Sequence, residues 1–145
     1  MPWVHVFARV VFGGLFVVAS LDKILHPRAF AEIVYNYHLL PDALVNATAI
    51  LLPWVELTAG LLLAFGRLAL GASVVLCGLM AVFLAALGFN LARGLDVACG
   101  CFSTVGGKGS PASDLARDGA ILLLGLLVMR RQARIARERA LLADC

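Results

Sequence analysis

Two cysteines separated by a single glycine, in the run Cys99-Gly100-Cys101-Phe102, are the residues of this sequence best suited to chemistry. A disulfide joins Cα atoms about 4.4–6.8 Å apart, so the chain must turn at the middle residue, where glycine turns at the least cost. So small a ring stabilises a fold very little, and strained, exposed disulfides are typically redox-active. The pattern favours a redox-active pair. The alternatives are soft-metal capture by the two thiolates and an inert structural pair.

A charged pair, Arg117 and Asp118, follows this stretch near the start of the last apolar segment. A guanidinium close to a cysteine lowers the pKa of the thiol and favours the thiolate that attacks disulfides. The alternative is an interfacial ion pair with no part in the chemistry. We predict catalytic roles for Cys99, Cys101 and Arg117. The candidate supporting residues around them are Gly100, Phe102 and Asp118.

Two charged residues, Arg9 and Glu56, lie inside otherwise apolar segments. Each would cost about 2.5–3.5 kcal/mol at the centre of a membrane if it were alone. Their expected depths differ by about 6 Å, which an arginine side chain can bridge. We therefore expect them to face each other in a supporting role, either functional or as an ion pair that fixes helix order.

Cofactor-binding residues are less marked. Trp54, beside Pro53, could pack against a flat ligand such as a quinone, although a core aromatic at a proline kink is the simpler interpretation. Cys77 lies within an apolar run and is predicted to pack as a small apolar side chain. No metal site is predicted, because the three histidines show no metal-ligand spacing: His5, His26 and His38.

The composition places these residues in a membrane. Of 145 residues, 62% are hydrophobic and 14% are charged, whereas an ordinary soluble domain has about 25% charged residues. This excludes a soluble enzyme, a disordered chain and a secreted cysteine-rich module. We predict an all-α fold: a polytopic four-helix bundle in a single membrane domain, 1–145, with spans over 3–24, 41–65, 68–91 and 111–130.

A short amphipathic helix is predicted between the first two spans. Four apolar residues recur at i, i+3, i+4 and i+7, which is one face of a helix, and the helix is expected to lie in the membrane interface. This face either packs as a lid without chemistry or shelters the connection that carries Cys99 and Cys101. These residues are Phe30, Ile33, Val34 and Tyr37.

The charge distribution predicts the orientation. Segment 130–145 contains five arginines, which is typical of a cytoplasmic tail that contacts anionic lipid: Arg130, Arg131, Arg134, Arg137 and Arg139. Both termini are then cytoplasmic, and the connection with Cys99 and Cys101 faces the periplasm of a bacterial inner membrane. A nucleic-acid partner is not expected. A signal-peptide core over 10–18 is the alternative for the first segment, but Arg9 interrupts it.

Together these residues resemble the methylamine-utilisation MauE group of the DoxX-like small four-helix membrane proteins. The resemblance reaches about residue 129, and Ser103 departs from it where the family often has glycine. It rests on the order of these motifs: Arg9 with Gly13-Gly14, Asp22-Lys23, Pro27, Tyr37-His38-Leu39-Leu40-Pro41, Leu52-Pro53-Trp54-Val55-Glu56-Leu57, Gly60-Leu61-Leu62-Leu63, Arg93-Gly94, Cys99-Gly100-Cys101-Phe102 and Arg117-Asp118.

The resemblance implies a redox-associated inner-membrane protein that works beside a periplasmic thioredoxin-like partner. Family members are linked to the maturation of methylamine dehydrogenase, whose small subunit carries many disulfides. We therefore expect thiol–disulfide exchange, which would make the chain a membrane thiol–disulfide oxidoreductase; electron transfer to a quinone is left open. The alternatives are a soft-metal (copper or mercury) binding or transport protein and a non-catalytic membrane assembly factor.

Overall fold

The computed structural model describes residues 2–94 and 111–143, except for the side chains of Pro2 and Pro111. Within these residues the chain forms five helices, and the all-α prediction is confirmed. In chain order they are α1 (Pro2–Leu25), α2 (Pro27–Asn36), α3 (Asp42–Phe65), α4 (Ala69–Ala92) and α5 (Pro111–Ala143).

Three of the described helices are long and apolar enough to cross a membrane. They are α1 from Trp3 onwards, α3 and α4, and their bounds lie close to the predicted spans 3–24, 41–65 and 68–91. The predicted fourth span, 111–130, lies in α5, which carries charged residues near its beginning and again from Arg130 onwards and is not among the three. The chain is therefore a membrane protein, while the crossing by α5 remains a prediction.

Helices α1 and α3 run antiparallel and approach each other backbone to backbone. A Cβ atom built on Gly13 would lie 2.7 Å from the backbone oxygen of Gly60, and a Cβ on Gly60 would lie 2.9 Å from the oxygen of Gly13. Small residues let membrane helices approach until their backbones touch. This contact sets the register of α1 against α3, and thereby decides which of their polar residues can meet.

Replacing Gly13 with alanine should therefore destabilise the bundle, by about 1–3 kcal/mol as is usual for overpacking. Gly14 is the matched control, because a Cβ atom there meets nothing within 4 Å. Gly14→Ala should instead raise the free energy of unfolding, by up to about 1 kcal/mol, because alanine is the better helix former. Reversible unfolding in mixed micelles would measure both. Equal effects of the two substitutions would contradict the contact.

Helix α2 folds back against the ends of α3 and α4. Pro27 occupies its first turn, where a missing N–H is tolerated. Phe30, Val34 and Tyr37 are buried, and they pack with residues of α3 and α4. The predicted amphipathic face is thus confirmed, with Ile33 half-buried at its edge. We call this side of the molecule, where α1 and α4 end and α3 and α5 begin, the α2 end.

Helix α5 packs along α4 and α1 and closes the bundle. A Cβ atom on Gly125 would collide with the ring of Phe12 and would lie 2.9 Å from Sγ of Cys77, so α5 approaches both neighbours closely here. Further along, the amide of Gln132 lies 3.1 Å from the ring nitrogen Nε2 of His5. The helix then continues through the arginine-rich segment as far as Ala143.

Candidate functional site

A cluster of buried polar side chains occupies the α2 end of the bundle. Its members are at most 4% exposed and come from α1, from α3, α4 and α5, and from the residue that follows α2. We call them the buried polar cluster: Lys23, Tyr37, Glu56, Asn90 and Asp118. Burying polar groups is unfavourable unless they are paired, so their convergence marks this end as the candidate site.

The strongest interaction in the cluster is an ion pair between Lys23 and Glu56. Lys23 Nζ donates to Glu56 Oε2 at 2.6 Å, and both side chains are only 1% exposed. The ammonium group also lies 5.2 Å from the ring centre of Phe30 and 5.5 Å from that of Phe83. Distances of this kind allow a cation–π attraction. The pair thus ties α1 to α3 inside the bundle, with two aromatic rings beside it.

The predicted pairing of Glu56 with Arg9 was wrong. Arg9 and Glu56 each lie four residues from the Gly13–Gly60 contact but on opposite sides of it, which separates them by about 12 Å along the helices. Lys23 follows Gly13 in α1, and helical side chains lean towards the N-terminus, so its ammonium reaches back to Glu56.

Arg9 lies instead at the turn between α3 and α4. A Cβ atom on Gly66, whose φ is +75°, would lie 2.5 Å from Nη1 of Arg9, so the guanidinium packs on the glycine backbone. A cation is favourable at this point because it faces the C-terminal end of the α3 dipole. Arg9 Nε has no hydrogen-bond partner within the described residues. Its place indicates a role in fixing this turn.

Asp118 and Tyr37 bring a carboxyl group and a phenol to the cluster. Asp118 Oδ1 accepts from Arg117 Nε at 3.0 Å, and Arg117 Nη1 lies 3.3 Å from Asp114 Oδ1. Burial, together with the charges of Asp118 and Asp114, raises the pKa of Tyr37 to about 12. The phenol therefore keeps its proton throughout the neutral range and can act only as a neutral donor or acceptor there.

Asn90 links the last turn of α4 to the segment after α2. Its Nδ2 donates to the backbone oxygen of Tyr37 at 3.4 Å, and its side chain is fully buried. Its Oδ1 has no hydrogen-bond partner within residues 2–94 and 111–143. Buried amides normally use both of their polar atoms, so Asn90 is the least satisfied member of the cluster.

The other predicted site residues are placed apart from the cluster. Trp54 is 53% exposed on α3, away from the helix core. Cys77 is buried among the apolar residues of the bundle, consistent with packing. The stretch that contains Cys99, Gly100, Cys101 and Phe102 lies outside the described residues. Within the described part, the structure holds no group of three or more His, Cys, Asp or Glu side chains suited to a metal ion.

Sequence reasoning missed Lys23 and Asn90. Lys23 lies two residues before the end of α1, where a lysine usually extends its charge into water. The available signal was Glu56, the one charged residue of the second apolar run after Asp42 at its start, because a buried carboxylate needs a cation beside it. Arg9 was predicted as that cation, and only the register of the helices shows that Lys23 takes this place.

These features define a small membrane protein whose described residues, 2–94 and 111–143, form only helices, held together by close glycine contacts and the buried Lys23–Glu56 ion pair. Comparison with known protein families also shows the family to which the chain belongs. A family profile described as methylamine utilisation protein MauE matches residues 1–131, and the chain belongs to that family.

Curated relatives carry the same description. The chain is 38% identical over 102 residues to a methylamine utilization protein MauE of Paracoccus denitrificans, covering 70% of this chain and 55% of that protein. It is 35% identical to the MauE proteins of Methylorubrum extorquens and Methylophilus methylotrophus, covering 70% and 69% of this chain and 55% and 53% of theirs. The chain thus spans about half the length of the curated relatives it matches. No solved structure matches it.

Proposed function

We propose that the chain is an accessory membrane protein of methylamine utilisation whose Cys99–Cys101 pair exchanges disulfides with a periplasmic thioredoxin-like partner. One observation carries the proposal: the family match covers residues 1–131, a range that contains a Cys-Gly-Cys sequence. In the family, such exchange would support the formation of disulfides in methylamine dehydrogenase.

The exchange proceeds in two steps. A thiolate of the reduced protein attacks the disulfide of the oxidised one, forming a mixed disulfide and releasing a thiolate. The second thiolate of the attacking pair then displaces its partner, closing a new disulfide. Two electrons and two protons pass from one dithiol to the other disulfide, so no further oxidant is needed.

Arg117 is proposed to act on the thiols through its charge. It lies two turns into α5, soon after the connection that carries the cysteines, and its side chain is 49% exposed. Asp114 and Asp118 both contact its guanidinium and offset its charge. We therefore expect Arg117 to favour the thiolates less than an unpaired guanidinium would. Asp118 then serves to position Arg117.

The proposed orientation follows from the arginines at the end of α5. These arginines are proposed to remain in the cytoplasm of the bacterium and to contact anionic lipid of the inner membrane. They are Arg130, Arg131, Arg134, Arg137 and Arg139. The α2 end, and with it the connection between α4 and α5, then faces the periplasm. That compartment is oxidising and allows a disulfide to form.

Trapping a mixed disulfide tests the proposed exchange. In Cys101→Ser, the second thiolate that would resolve a mixed disulfide on Cys99 is missing. A covalent complex between Cys99 and a thioredoxin-like protein should therefore accumulate. Cys99→Ser is the reciprocal variant. Non-reducing electrophoresis with mass spectrometry would identify the complex. The Cys99→Ser, Cys101→Ser double variant is the control and should trap nothing. Failure of both single variants to trap a partner would contradict the proposal.

A further inference from the structure

A second feature of the α2 end is an apolar cavity of about 210 Å³ between α2, α3 and α4. Its walls come from Val34 and Tyr37, from Thr48 of α3, and from Phe83 and Ala86 of α4, and Val82 lies on its rim.

The lining selects for hydrocarbon. Of the described residues around the cavity, none is charged, and only Thr48 and Tyr37 carry polar side-chain atoms. Burial raises the pKa of the Tyr37 phenol, and Asp118 and Asp114 contribute to raising it. Both aspartates belong to α5, which lies on another side of the bundle from the cavity. A lipid headgroup is charged or strongly polar, and none of these walls carries a charged side chain to hold it. Apolar cavities of about 150 Å³ are known to remain dry and to bind small hydrocarbons.

The position of the cavity indicates where its occupant comes from. Two helices supply most of its walls: α3 contributes Thr48 and Leu52, and α4 contributes Leu79 and Phe83. Both helices are long and apolar enough to span a membrane. On the rim, Val82 is 68% exposed, so the cavity opens sideways on a surface that faces lipid. We propose that it binds one acyl chain of a bilayer phospholipid, which enters laterally from the hydrocarbon region.

The same wall connects this site to the buried ion pair. Phe83 lines the cavity, and its ring centre lies 5.5 Å from the ammonium nitrogen of Lys23. A bound chain covers Phe83 on the lipid side and keeps water away from the Lys23–Glu56 pair. The inference is independent of the thiol chemistry, since it involves none of the cysteines.

Two alanines that are adjacent in α4 provide a matched test. Ala86 lines the cavity, whereas Ala85 is exposed on the outer surface of the helix. The chain would be reconstituted in phosphatidylethanolamine and phosphatidylglycerol vesicles that contain a phospholipid with a photoreactive acyl chain. Val34 is only 7% exposed, so an adduct on it requires a chain inside the cavity.

We expect adducts on Val34 in the wild type and in Ala85→Phe, and about a tenfold loss in Ala86→Phe. Thr48→Leu also narrows the cavity and should reduce the adducts, which covers the case in which Ala86→Phe does not fold. A parallel series with a photoreactive isoprenoid quinone tests the other source of a hydrocarbon chain. Equal labelling of Val34 in both alanine variants, or labelling by the quinone but not by the phospholipid, would overturn the proposal.

Discussion

Replacing Lys23 with methionine should lower the free energy of unfolding by about 3–5 kcal/mol, the range observed when one partner of a buried ion pair is removed. Lys23 Nζ and Glu56 Oε2 are 2.6 Å apart, and both side chains are 1% exposed. Methionine keeps most of the apolar stem of Lys23 but removes the ammonium. Glu56 is then left as an unpaired carboxylate among apolar side chains, which accounts for the size of the effect.

A double-mutant cycle isolates this interaction. Lys23→Met and Glu56→Leu should each be strongly destabilising, while the double variant should recover much of the loss, because two well-packed apolar residues replace the pair. Arg28→Met is the control, since Arg28 is exposed on α2. Its effect should be less than about 0.5 kcal/mol. Additive effects of Lys23→Met and Glu56→Leu would show that the two side chains do not interact.

The same cycle distinguishes the observed pairing from the one predicted from sequence. Arg9 and Glu56 lie on opposite sides of the Gly13–Gly60 contact, so Arg9→Met and Glu56→Leu should be additive within about 0.5 kcal/mol. A large coupling energy between them would favour the original prediction and would place α1 and α3 in a different register.

Loss of the cysteine pair should have the largest effect on function. The proposed exchange requires both sulfurs, one to form the mixed disulfide and one to resolve it. We therefore expect Cys99→Ser and Cys101→Ser each to abolish growth on methylamine when this chain replaces the MauE protein of Paracoccus denitrificans. The readout is growth rate on methylamine, with a second substrate to show that the cells are otherwise healthy.

Cys77→Ala is the matched control for these variants. Cys77 is buried in the bundle between α4 and α5 and is predicted only to pack there. Its replacement should leave growth on methylamine largely intact, at some cost in stability. If the wild-type chain supports growth and the Cys99→Ser, Cys101→Ser double variant does so equally well, the disulfide is incidental and the chain acts as a non-catalytic assembly factor.

Much of the fold was predictable because its signals are local. The length of the apolar runs predicted the bounds of α3 and α4 almost to the residue. The predicted spans were 41–65 and 68–91, and the helices are Asp42–Phe65 and Ala69–Ala92. The helical spacing of Phe30, Val34 and Tyr37 likewise predicted the buried face of α2. In α5 the prediction ended at 130 because hydropathy ends there. The helix continues to Ala143 because arginine, alanine and leucine are good helix formers.

The pairing inside the bundle was not predictable in the same way. Which cation meets Glu56 depends on the register of two helices, and that register depends on backbone contact between Gly13 and Gly60. Both glycines were visible among the motifs, but a glycine in a sequence does not show which partner it approaches. Asn90 was missed for a similar reason, because its hydrogen bond goes to a backbone oxygen 53 residues earlier in the chain.

The central claim is that Cys99 and Cys101 form a reversible disulfide on the periplasmic side, and thiol labelling in intact cells tests it most directly. The sequence has two other cysteines, Cys77 and Cys145. A membrane-impermeant maleimide would be applied to a Cys77→Ala, Cys145→Ser variant, which keeps only Cys99 and Cys101, before and after treatment with a reductant. The account predicts no labelling before reduction and two labels per chain afterwards, without permeabilising the inner membrane. Labelling without reductant, or only after permeabilisation, would contradict it.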